Sequence, residues 1–290
     1  MDKLTKAVTK DGFIRIYAVN SKETVAEAQK IHQASPVVTA ALGRTLTGAM
    51  LMGAMQKDEN IDLTLQVKGL GPAGLIITVA KHDGFVKGYV ENPFVDLPLN
   101  SKGKLDVGAA VGTDGYLSVV KDLKLKEPYI GKVPLQTGEI GDDLAFYFAQ
   151  SEQVPTAVAL GVLVDKDLSV KAAGGFIVQV MPGCDEFTLK RIEKAVEKIK
   201  SVTDLLADGM TSLELVKFVM KDFDIEILET KEVGYRCDCS RERTENAIKS
   251  LGKDEIRSIL EEEGQAEVTC HFCNKAYVFD KEFLEKALEE

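Results

Sequence analysis

Four of the five cysteines of this 290-residue chain lie in two short stretches, "YRCDCSRER" and "VTCHFCNKA". The spacing is C-x-C-x30-C-x2-C, formed by Cys237, Cys239, Cys270 and Cys273. Two close thiol pairs separated by a folded insert can present four sulfurs to a tetrahedral ion. Zinc favours such a set, with Zn–S bonds of about 2.3 Å. The insert is built to bring the pairs together. Ser240 can cap a helix carrying Ala247, Ile248 and Leu251, which Gly252 ends. A second helix from Asp254 carries Ile256, Ile259 and Leu260, and Gly264 ends it. Residues 266–279 read as a hairpin whose turn is "CHFC", and Asp280 can cap a last short helix.

This tail has few large apolar residues and would be marginal by itself. A structural zinc supplies on the order of 10–16 kcal/mol of apparent binding energy, so the tail's fold would depend on metal. Three readings of the site stand side by side. The first is an inert structural zinc ribbon. The second, a catalytic zinc, is disfavoured because four thiolates leave no open position for water or substrate. The third is a redox switch: metal-bound cysteines are thiolates, the form oxidants attack, and their oxidation would withdraw the ligands. His271 lies between two of the ligands and could replace one, although a solvated turn side chain is the commoner role.

The formal charge is −10 and the pI is about 5.0. A net negative chain lacks the electrostatic footprint that dominates nucleic-acid affinity, and a lipid-surface role is likewise disfavoured. Residues 231–290 carry 10 Lys/Arg and 15 Asp/Glu, so this tail is the most acidic part of the chain. The N-terminal "MDKLTKAVTKDG" has no apolar h-region, so no secretory signal is expected. The apolar run "PVVTAALGRTLTGAMLMGAM", residues 36–55, is long enough to span a bilayer, but Arg44 and several threonines interrupt it. It is read as a buried helix. A cytoplasmic location follows, where thiols are kept reduced and permanent structural disulfides are not expected.

Residues 12–20 alternate as a strand, and 22–33 have helical spacing. Pro36 opens the long apolar helix. Between 61 and 91, three short apolar runs divided by Gly-Pro and Asp-Gly turns predict an antiparallel meander. Residues 138–150 read as a helix, and "TAVALGVLVD" and "SVKAAGGFIVQVM" as another strand pair. The fold class is therefore α+β: a mixed α/β core domain over residues 1–183, a helical linker region over 184–230, and a small four-cysteine zinc domain over 231–290. In the linker, Leu189, Ile192, Val196, Ile199 and Val202 form one apolar stripe, and Leu213, Val216, Phe218 and Val219 a second. Helices of this kind must lie on something.

No active site is visible. The three histidines, His32, His82 and His271, are scattered, and no GxSxG, P-loop or HExxH sequence occurs. Asp142 and Asp143 are neighbours on an expected helix and point apart, which makes a poor acid–base pair. Cys184, alone beside "MPG", is left without a role.

"CDC" followed by "RTENAIKSLGKDEI" and "EVTCHFCNKAYVF" resembles the C-terminal switch of the bacterial 33 kDa redox-regulated heat-shock chaperones. The segments "SPVVTAALGRTLTGAMLMGAM", "LQVKGLGPAG" and "AAGGFIVQVMPG" are similar to that family's core domain, in the same order, so the resemblance covers nearly the whole chain. Cys184 lies outside the family's zinc motif. The resemblance implies an ATP-independent holdase rather than an enzyme, active in the cytoplasm during oxidative stress and heat shock. It implies that reduced Cys237, Cys239, Cys270 and Cys273 hold one zinc ion per chain and that the protein is then nearly inactive. It also implies that oxidation gives Cys237–Cys239 and Cys270–Cys273 disulfides, unfolds the tail and destabilises 184–230. Apolar surface would then bind unfolding client proteins, and a homodimer would form. The alternative is a zinc-ribbon protein that binds nucleic acid or ribosomes. The acidic tail and the lack of an aromatic-basic stripe speak against it.

Overall fold

A computed structural model describes every residue except Leu125, Lys200 and Glu290. The chain forms two compact units, Met1–Arg236 and Cys237–Glu290. Among the described residues the architecture is α+β, with one ten-stranded sheet and one two-stranded hairpin.

The first unit opens with β1 (Asp2–Thr9) and β2 (Ile14–Asn20), then α1 (Lys22–His32) and α2 (Pro36–Ala54). The meander β3 (Asp62–Lys68), β4 (Leu75–Lys81) and β5 (Phe85–Val90) follows, with the antiparallel pairing its turns imply. Residues 92–138, which carry no clear periodicity, hold α3 (Val107–Val111), β6 (Tyr116–Asp122) and β7 (Tyr129–Pro134). Next come α4 (Gly141–Tyr147) with a π-helical turn (Phe148–Glu152), then β8 (Thr156–Val164) and β9 (Val170–Val180). The strands lie in the order β7-β6-β3-β4-β5-β10-β1-β2-β9-β8, where β10 is Ile225–Tyr235. Every pairing is antiparallel except β5 with β10, which is parallel and spans only Gly234 opposite Phe85 and Tyr235 opposite Val86. The sheet is thus two five-stranded halves joined at one short seam.

The apolar run is the central core helix. Every residue of α2 except Pro36 and Arg44 is buried, and the helix packs on strands of both half-sheets. Arg44, the charge that interrupts the run, forms an ion pair with Glu139 and donates to the Glu139 carbonyl at 3.2 Å. The charge is tolerated at the margin of the core because it is paired there.

Between the two expected strand and tail regions, the amphipathic stretch becomes α5 (Glu186–Glu197), α6 (Val202–Ala207) and α7 (Ser212–Val219). Asp185 caps α5 through Thr188 N at 2.9 Å, and Thr211 and Glu214 form a reciprocal capping box on α7. Ile192, Val202, Leu206, Leu215, Val216 and Val219 pack on Ile14, Ile16, Ala18, Phe176 and Val178 of β2 and β9, a second core separate from that around α2. Residues 225–230, which fall within the stretch read as mostly helical, are instead the first half of β10. The sequence "IEILET" suits either state, and the unpaired edge of β1 supplies the partner that decides it.

Leu46, fully buried in the middle of α2, tests how much the structure rests on that helix. The substitution Leu46→Ala is expected to destabilise the first unit by about 2–5 kcal/mol, read from urea unfolding followed by circular dichroism.

Candidate metal centre

The second unit begins at the first of the four clustered cysteines. Cys237 and Cys239 stand on an irregular segment after β10, and Ser240 then caps α8 (Arg241–Lys249) by accepting from Arg243 N at 3.2 Å. Gly252 adopts φ +91 between α8 and α9 (Lys253–Glu262), and Gly264 adopts φ +67 just past α9, so both glycines stop helices as expected. The hairpin of β11 (Ala266–Thr269) and β12 (Ala276–Phe279) carries the other two cysteines in its turn. Cys270 N donates to Lys275 O at 3.0 Å, while Cys273 N and Asn274 N donate to Cys270 O at 3.2 and 2.8 Å. Asn274 takes the left-handed conformation this turn requires, φ +55, which asparagine adopts at low cost. Asp280 caps α10 (Lys281–Glu289) through Phe283 N at 3.0 Å.

This folding brings together all four sulfurs singled out from the spacing. The Sγ atoms of Cys237, Cys239, Cys270 and Cys273 lie within 4.8 Å of one another. Two close approaches run between the two segments: Cys237 to Cys270 at 3.7 Å and Cys239 to Cys273 at 3.4 Å. All four are free thiols in this structure, since a disulfide needs about 2.05 Å. A tetrahedron with 2.3 Å metal–sulfur bonds has edges of about 3.8 Å, so the thiol set fits a tetrahedral thiophilic ion such as zinc. His271 is exposed in the turn and is not a member of the sulfur cluster.

One neighbour was not legible from the spacing. Tyr277 on β12 is buried and donates its hydroxyl to Cys239 Sγ at 3.1 Å. Burial opposes ionisation of Cys239, but hydrogen bonds from Tyr277 and the other thiols outweigh it and bring this thiol down to about 7. Burial pushes the Cys237 and Cys273 thiols up. The Tyr277 phenol is pushed up to about 12, first by its bond to Cys239 and then by burial, and so remains a donor at neutral pH. An O–H aimed at a ligating sulfur favours its thiolate form and fixes its orientation. Period-two alternation in "AYVF", with Tyr277 and Phe279 facing inward, was the signal available in the sequence.

Other polar residues have structural roles. Asp143 is fully buried and accepts from Gln136 N, Thr137 N and Ile140 N at 2.6, 3.0 and 3.0 Å, holding the loop before α4. Asp142 accepts from the Thr137 hydroxyl at 3.3 Å, so the adjacent pair organises a turn. His32 is buried against Gly88 O at 2.9 Å, and burial holds its imidazole below the usual range, in the neutral form. Cys184 is half-buried, with its Sγ 3.5 Å from Asp185 O.

Replacing Tyr277 by Phe removes the O–H···S bond and keeps the ring's packing. The Tyr277→Phe variant is expected to bind zinc about tenfold more weakly than the parent, measured by competition with a colorimetric chelator.

Comparison with known proteins agrees with this architecture. The family described as Hsp33 protein matches residues 2–280. A 33 kDa chaperonin of Clostridium botulinum is 50% identical over 288 residues, covering 99% of this chain and 97% of the relative. A 33 kDa chaperonin of Clostridium perfringens is 50% identical over 290 residues, covering 100% and 92%. The crystal structure of the 33 kDa chaperonin (heat shock protein 33 homolog) of Thermotoga maritima superposes with a TM-score of 0.91 at 39% identity, covering 99% of this chain and 97% of that one. These relatives are named as chaperonins, not enzymes, and with the match running along the whole sequence this chain belongs to the Hsp33 family of chaperones.

Proposed function

We propose that this chaperone is a redox-regulated, ATP-independent holdase whose resting form carries one zinc ion on Cys237, Cys239, Cys270 and Cys273. The observation that carries the reading is the close meeting of four free thiols from two chain segments in a unit with little else to hold it. Its core consists of Ile248, Ile256, Ala266, Tyr277, Phe279, Leu284 and Ala287. A unit of this size buries too little apolar surface to be secure without a crosslink or a metal. A bound ion would tie the segment of Cys237 and Cys239 to the hairpin of Cys270 and Cys273, and with four thiolate ligands it would offer no open position to a substrate.

Oxidation removes that tie. Forming each disulfide, Cys237–Cys239 and Cys270–Cys273, removes two electrons and two protons from its thiol pair; they pass to an oxidant of the peroxide class, whose O–O bond breaks to give water. Both bonds join sulfurs within one segment, so neither replaces the link between segments. Disulfide sulfurs no longer hold the ion, and the unit loses the energy that keeps it folded. The division of labour follows the chain: a stable core over 1–183, the helices α5, α6 and α7 within 184–230 that come loose, and the switch in the unit that begins at Cys237.

The placement of α5, α6 and α7 supports the second step. They cover Ile14, Ile16, Ala18, Phe176 and Val178 of the sheet, and their own stability comes from that contact rather than from a core of their own. Loosening them exposes apolar surface on both sides of the contact, which is what a holdase offers to unfolding client proteins. A homodimer in the active state and a cytoplasmic setting complete the reading.

The test is light scattering from a heat-denaturing client protein. Zinc-loaded reduced protein is expected to leave aggregation unchanged. Protein treated with peroxide at elevated temperature is expected to suppress it, and reductant with zinc to reverse the effect. Suppression by neither form removes the holdase reading, and equal suppression by both removes the switch.

A further inference from the structure

Among the described residues, the two half-sheets meet through a single parallel pairing, and the strand that makes it leads into Cys237 with one residue between. Over Ile225–Val233, β10 is paired on one side only, with β1. Its other side is held at its last residues alone, where a compact set of contacts gathers. Arg236 N donates to Val86 O at 3.0 Å, extending the pairing by one bond. The Arg236 guanidinium forms an ion pair with Asp83 and stacks on the Phe85 ring, its Cζ 3.8 Å from the ring centroid. Lys231 Nζ donates to His82 O at 2.5 Å. Tyr235 Oη donates to Gly88 O at 2.9 Å and accepts from Gly88 N at 3.3 Å.

All of these partners belong to β5 or to the turn His82–Gly84 before it. The turn is shaped for the task. Asp83 Oδ1 accepts from Phe85 N at 3.1 Å, and Gly84 has φ +89. A Cβ on Gly84 would lie 2.4 Å from Cγ1 of Val233, so only glycine lets the turn close over this buried strand residue.

We infer that the β4–β5 turn and β5 form a latch on residues 231–236, and that Asp83 and Arg236 are positioning residues that set how readily loss of fold in the cysteine unit spreads into the core. The inference rests on the proposed activation and adds its gate. A chain that loses its structure from Cys237 onward pulls next on Arg236, and β10 leaves the seam only when the latch opens. The ion pair is 47% and 46% exposed, so by itself it holds little, and it acts together with the Phe85 stack, Tyr235 and the close fit at Gly84. A latch of modest strength suits a switch, because one too strong would confine the change to the cysteine unit.

The test uses the full chain, reduced and zinc-loaded, with Asp83→Asn and Arg236→Gln. The asparagine keeps an acceptor for Phe85 N and removes only the charge. Hydrogen exchange of the peptide 225–236 is expected to rise about two- to fivefold in either variant, with the rest of the sheet unchanged. Zinc affinity by chelator competition is expected to match the parent. After peroxide, the variants are expected to suppress client aggregation at a lower temperature than the parent. Faster exchange throughout the sheet, or an unchanged activation temperature in both variants, overturns the latch. A parent protein that peroxide never activates counts against the proposed function instead, and the exchange measurement then decides the latch alone.

Discussion

Four thiols held within 4.8 Å of one another are the constraint on which the second unit depends. Two of them lie on a segment with no regular structure of its own, and two lie in a tight hairpin turn. The helices α8 and α9 between them are short and largely exposed, each with one buried residue, Ile248 and Ile256. Helices of that length are marginal in water unless something fixes their ends. On the proposed reading a metal ion held by the four sulfurs would do so. In the first unit the same work is done by apolar packing around α2, which needs no such tie. On the proposed reading the two units fail under different conditions: the first when its core is disrupted, the second when its thiols change chemical state.

The cysteine centre was legible because ligand chemistry is written locally. A C-x-C and a C-x2-C pair, with Ser240, Gly252, Gly264 and Asp280 at the right offsets, specify the insert almost element by element. The long helix was legible too, since an apolar run broken by one arginine and a few threonines has few places to go. The seam was not. β10 is exposed at Glu226, Ile227, Leu228, Glu229 and Thr230, so it has none of the alternation that marks a strand, and it is a strand because β1 lies beside it. β1 itself hides its pattern behind buried polar residues. Asp2 accepts from Thr24 N at 2.7 Å, and the Thr5 hydroxyl meets those of Ser212 and Thr230 at 2.9 and 3.1 Å. These partners are 22 to 225 residues away, which no local window can supply. Tyr277 was half-visible: its inward position follows from alternation, but its bond to Cys239 depends on how the hairpin meets the segment of Cys237 and Cys239.

Chain connectivity gives the seam its importance. The weakest junction in the ten-stranded sheet is the one adjacent in sequence to the first thiol, and the stretch that precedes it is three helices capped individually and packed on the sheet from outside. On the proposed reading stability falls along the chain from the α2 core, through the outer helices and the seam, to the thiol centre. Such a gradient lets a local chemical event propagate in one direction, because each step frees a segment less firmly held than the core behind it.

The arrangement of the sulfurs also decides which oxidation products could act as a switch. Two close pairs, Cys237 with Cys270 and Cys239 with Cys273, each bridge the two segments. Disulfides formed across them would keep the segments joined covalently and preserve the fold that the thiols hold. Disulfides within the segments sever the connection while protecting all four sulfurs from further oxidation. On the proposed reading the within-segment pairs are therefore the productive ones. Cys237 and Cys239 are separated by one residue, so their ring is tight and readily reduced, which favours return to the metal-binding form once reductant is restored. The chemistry that opens the unit is then also the chemistry that allows it to close.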